Sequence, residues 1–194
     1  MPTNNTPIIE GAVMLDRVLG EIQQGLVALP WLDVAFGRAQ RLVKALEGRR
    51  HITPNVFCGG WNGHGPNDYL EVSPDAEIGN FSFFAIDDPQ VVQPGLGQRE
   101  FRTPFGLIVW FDLRRVYGEA SNRNTEQLKA QVLDVLSGRS GFALTEGHIE
   151  VSRIYEQAQN IYRGYSLDEI DNQFLMHPYG GFRIDGTLYY TEIC

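Results

Sequence analysis

Residues 105–113 read "FGLIVWFDL". The centre of the stretch, "LIVWF", is apolar without alternation and is rich in β-branched and aromatic side chains. A short run of that kind predicts a strand buried on both faces, in the middle of a sheet. Five apolar residues are far too few to cross a bilayer, so no transmembrane segment is expected.

Other strand signals flank it. "NFSFFAI" (80–86) is aromatic and β-favouring, and Asp87, Asp88 and Pro89 close it. "HIEVSRIY" (148–155) alternates Ile149 and Val151, less cleanly Arg153, against a polar face. Residues 182–192 alternate Phe182, Ile184, Leu188 and Tyr190, with Gly186 marking a bulge or bend. Arg183 and Asp185 lie two apart on this strand and are expected on one face.

Helical stripes cover the rest. Leu15, Val18, Leu19, Ile22, Leu26 and Leu29 predict a long amphipathic helix over 8–29, ended by Pro30. Leu32, Ala35, Phe36, Ala39, Leu42, Val43 and Leu46 fit a second helix over 31–46, with an irregular strand as the alternative because Gly37 weakens the helix. A third helix is predicted over 123–137, started by Asn122 or Asn124 and stopped by Gly138. Residues 53–79, 87–104 and 156–181 read as long loops. "VFC" and "YLEV" are candidate short strands within the first, and the capping-box pattern "SLDE" marks a short helix starting at Ser166 in the third. Strands cluster around an internal helix instead of alternating with helices. The expectation is one α+β domain over 1–194, with an antiparallel or mixed sheet packed against a long N-terminal helix and a central helix.

Composition narrows the function. The 194 residues carry a net charge of −8, against the basic face that a nucleic-acid binder usually presents. Two lysines stand against fourteen arginines. Arginine tolerates interfaces where lysine is depleted, although nucleotide bias gives the same ratio. Cys58 and Cys194 are far apart, with no metal-ligand spacing. The opening "MPTNNTPIIEG" lacks the basic and apolar regions of a secretory signal, so the sequons at Asn4 and Asn80 are expected to be unused.

Motifs with a mechanism are scarce. No nucleophile elbow, phosphate-binding loop or zinc-protease helix motif is present, and "GLGQRE" (95–100) has no helix pattern behind it. Asp87 and Asp88 sit at a strand end, where two-metal nucleases place carboxylates, but also where an ordinary acidic turn sits. Cys58, His64 and Asp68 share a glycine-rich loop, and Cys58 with His64 or His177 as base is a conceivable nucleophile pair. A small buried cysteine and a structural turn histidine are the plainer readings. No catalytic residue, metal ligand or cofactor is assigned.

The element order, with the segments "FGRAQRLVK", "GNFSFF", "IYRGYS" and "FLMHPYGGFRIDGTL", resembles tail-terminator and head–tail completion proteins of tailed bacteriophages from about residue 10 to the end. That resemblance implies a non-enzymatic virion protein, assembled in the host cytoplasm. It would form a ring, commonly a hexamer, that contacts other neck and tail proteins. An acidic lumen would let DNA slide without sequence-specific contact. The three long loops depart from smaller members of that group. Aromatic loop residues Trp61, Tyr69, Tyr162, Tyr165 and Tyr179 would anchor interfaces or pack beneath their own loops. Two alternatives belong to other classes: a small metal-dependent hydrolase or nuclease using Asp87 and Asp88, and a monomeric binding module.

Overall fold

The computed structural model describes residues 6–46, 48–75, 77–94, 99–119, 123–141, 144–145, 147–168 and 170–191. In chain order the elements are α1 (Met14–Leu26), β1 (Val34–Leu46), β2 (Arg49–Phe57), β3 (Tyr69–Glu71), β4 (Phe81–Ile86), β5 (Val91–Pro94) and β6 (Arg99–Asp112). There follow α2 (Leu113–Tyr117), α3 (Thr125–Leu136), β7 (Gly147–Tyr155), α4 (Ala158–Ile161) and β8 (Tyr179–Thr191). The eight strands form one mixed sheet, ordered β3-β2-β1-β4-β6-β8-β7, with β5 pairing β6 alongside. Among the described pairs only β1 with β4 is parallel. The fold class is α+β.

β6 lies inside this sheet and explains the chemistry of "LIVWF". Phe105, Leu107, Val109 and Phe111 face a layer built by α1 and α3. Ile108 and Trp110 face the opposite layer, covered by the connection between β7 and β8 through Ile161, Tyr162, Tyr165, Leu167, Phe174 and Leu175. Each large apolar side chain removed from water in this way contributes about 1.5–3 kcal/mol. The two faces of one strand thus sit in two cores, and neither face is left for water.

Several expectations need correcting. The N-terminal helix is shorter than 8–29, occupying Met14–Leu26. Gly11 turns the chain at φ 68° just before it. Leu29 still completes the apolar stripe, but in turns beyond the helix, where its amide reaches the carbonyl of Leu26. Residues 34–46 are strand, not helix. Their apolar spacing fits both periods at the start because Val34, Ala35 and Phe36 are all buried, Ala35 in one core and its two neighbours in the other. Pairing with β4 and β2 overrides the helical pattern. Gly37 sits where the register with β4 shifts. The side-chain amide of Gln23 on α1 donates to the carbonyl of Ala35 there, at 2.9 Å.

The loops are also more ordered than their composition predicts. Residues 53–57 complete β2, which pairs with β3, so "VFC" and "YLEV" meet as neighbours. Residues 91–94 pair with 99–102 within the expected loop at 87–104, extending β6 back to Arg99. Residues 95–98 of "GLGQRE" lie outside the described residues. In 156–181, α4 and a 3-10 turn at Asn172–Leu175 appear. No helix starts at Ser166, whose amide and hydroxyl bond the carbonyl and amide of Ile52 on β2, at 2.7 and 2.9 Å. Glu169, the other half of that capping box, lies outside the described residues, as do Asn122 and residues 192–194. The irregularity signalled by Gly186 lies across the ladder, in β7 between Val151 and Arg153, which also explains the broken alternation at Arg153.

Candidate functional site

The end of β4 and the middles of β1 and β8 bring together residues far apart in sequence. Arg183 on β8 is fully buried. Its guanidinium lies flat over Gly106 of β6, where an added Cβ would come within 2.3 Å of Cζ. From there it donates to Asp185 and, at 3.0 Å, to Oδ2 of Asp87. Arg163, from the connection after α4, donates to Asp185 at 3.0 Å and stands 3.5 Å from Asp87 Oδ2. Arg41 on β1 lies 3.7 Å from Asp87 Oδ1. Arg183 and Asp185 therefore share a sheet face, as the period-2 spacing predicts.

This arrangement bears on Asp87 as a metal ligand. The carboxylates of Asp87 and Asp185 share Arg163 and Arg183 as partners, and Arg41 adds a third guanidinium beside Asp87. A divalent cation there would meet those positive charges at close range. Asp88 is exposed. Among the described residues no three His, Cys, Asp or Glu side chains converge as metal ligands. Lys44, expected on a helix, lies on β1 and pairs with Glu71.

The glycine-rich loop places its polar residues apart in function. Cys58 is fully buried, and burial, then the charge of Asp68, pushes its thiol pKa up, which disfavours the nucleophilic thiolate. Asp68 accepts the Gly65 amide at 2.6 Å. His64 lies 3.9 Å from Asp68 and stacks parallel on Trp61. His177 is exposed beside Pro178 in the turn before β8. Of the aromatic loop residues, Tyr162 is buried and Tyr179 stacks on Trp110, so they pack beneath their own connection. Tyr69 is the exposed one of the five, at 46%.

A second feature escaped the sequence reading. β1 and β2 pair as a two-stranded arm whose register is continuous from Ala39 with Val56 to Leu46 with Arg49, and whose outer part carries the exposed side chains. On this arm Leu42, Val43 and Leu46 are 37, 49 and 44% exposed. Arg41, Lys44, Arg49 and Arg50 make it basic on a chain of net charge −8. The signal was present in "LEGRR": two residues between the strands, with Gly48 at φ 78°. The helical reading of 31–46 hid it. At the far end of the sheet, the outermost strand β7 leaves Val151 and Ile154 exposed at 39 and 40%.

An open groove of about 520 Å³ lies between the N-terminal segment, the end of α1 and Gly59–Trp61, and among its described lining residues Glu10 is the titratable one. No protein-family model matches the chain, and no curated protein matches it in sequence.

Proposed function

We propose that this chain is a structural virion protein of a tailed phage, forming a ring at the head–tail junction or tail end that terminates or completes the tail. The β1–β2 arm carries the reading. Three apolar side chains are more than a third exposed within residues 41–50, the outer part of the hairpin, where none of the described residues belongs to either core. Exposed apolar groups flanked by charge are the mark of a surface built for a partner. The arm is basic while the chain is acidic, so the partner with complementary charge is the body of another copy. β7, with its exposed valine and isoleucine at the opposite end of the sheet, supplies a second contact region. Two distinct surfaces at opposite ends make a head-to-tail contact, and such contacts close into rings when the rotation permits. The resemblance of the sequence segments to tail-terminator and head–tail completion proteins supports a ring in a phage neck or tail, commonly a hexamer.

Light scattering on the purified chain, alone and with neck or tail-tube proteins, tests the reading. A mass several times 21.9 kDa, with annular particles in electron micrographs, is expected. A monomer under every one of those conditions overturns it.

A further inference from the structure

We propose that Arg41 and Arg163, standing over the buried Arg183, form a binding site for one oxyanion, a carboxylate or a phosphate. Arg41 also lies on the β1–β2 arm, so the loss-of-mass outcome below rests on the ring reading, whereas the thermal outcome does not. The side chains of Arg41 and Arg163 are 53 and 50% exposed and flank the same carboxylate, that of Asp87, from its two oxygens. Both distances to Asp87, 3.7 and 3.5 Å, are ion-pair distances beyond good hydrogen-bond geometry. Asp87 makes its hydrogen bond with Arg183 instead. A guanidinium carries five N–H donors; Arg41 spends one on Tyr165, and Arg163 bonds Asp185 and Tyr155, so each of these half-exposed groups keeps donors over.

The charge count runs the same way. Arg41, Arg163 and Arg183 face two carboxylates, Asp87 and Asp185, leaving one positive charge over. Beneath them, Nη1 of Arg183 is buried with no hydrogen-bond acceptor among the described residues. That charge sits in a low-dielectric layer and adds to the field at the mouth. Beside the mouth, Arg163 lies 5.8 Å over the Tyr155 ring. Planar forks of this kind suit the paired oxygens of a carboxylate or phosphate.

The test titrates sodium phosphate into the full chain against sodium chloride at equal ionic strength, following thermal unfolding and light-scattering mass together. The comparison is with Arg41→Gln/Arg163→Gln, whose substituted side chains are half in solvent. A phosphate-specific response is expected in the parent chain and not in the double variant. It takes one of two forms. A midpoint raised by about 3–6 °C at ten times the dissociation constant, with unchanged mass, identifies a free anion site. A fall in mass on adding phosphate, reproduced by the double variant without phosphate, identifies the natural oxyanion as a carboxylate of a second copy. No phosphate-specific response in the parent chain, or an equal one in the double variant, overturns the proposal. A chain monomeric throughout counts against the ring alone, because the midpoint still reads the site.

Discussion

Asn80 shows how much one polar side chain holds. It is 1% exposed at the start of β4. Its side-chain amide donates to the carbonyl of Trp31 at 2.7 Å, its side-chain oxygen accepts the amide of Asp112 at 2.8 Å, and its own backbone amide donates to Asp33. It thereby ties the turn after α1 to the ends of β4 and β6. In the sequence it is a sequon of no expected use, and its burial explains why a glycan has no access. Asn80→Ala leaves a buried amide and a buried carbonyl unpaired, so urea unfolding should show a loss of about 2–4 kcal/mol. A loss below about 0.5 kcal/mol, the usual range for surface changes, would contradict the hub role. Asp112, beside it, gives a pH prediction. Burial opposes its ionisation, but hydrogen bonds from the Arg114 side chain and backbone outweigh this and hold its pKa below the ordinary value. The stabilisation is therefore fully present above the unfolded-state pKa, near 4, and is lost as pH falls through the lower folded pKa. Asp112→Asn should flatten the acid limb of stability below about pH 4, and an unchanged acid limb would sink that assignment. Asp87, Arg183 and Asp185 were each legible as polar residues worth naming. Their convergence was not, because it depends on β4 and β8 both flanking β6, a pairing that local sequence does not carry.

Among the elements, those whose periodicity agrees with their burial were legible. "LIVWF" reads as a central strand because both its faces meet apolar layers. α3 and β8 read correctly because one face of each is apolar and the other is not. β1 misread because its first third is buried on both faces and its last third on neither, so its apolar positions follow no strand period. The arm is where sequence pattern and burial disagree most, and such disagreement often marks function. Replacing Leu42, Val43 and Leu46 together by serine should leave the unfolding midpoint of the free chain nearly unchanged, since each side chain is more than a third exposed. The same triple variant should lose assembly in light scattering. Assembly that persists at parental strength would place the interface elsewhere on the chain.

At the level of the whole molecule, one sheet carries two cores and presents two unlike ends. A basic, apolar arm extends from one side, and β7 closes the other. In the proposed ring, the acidic balance of the chain would suit a lumen along which DNA moves without sticking. α+β class, acidity and the places of β4, the centre of β6, β7 and β8 were open to sequence; β1, most of β2, β5, the strand order, the arm and the arginine cluster required the fold, since they depend on contacts between distant residues. The claim that this architecture exists to build a ring is tested most directly by electron microscopy of the purified chain, alone and mixed with tail-tube or neck proteins, scored for particle shape and symmetry. The ring reading predicts closed annular particles of one rotational symmetry, hexameric as the phage resemblance implies, which disappear in the arm triple variant. Particles the size of a single 21.9 kDa chain in every mixture would contradict it.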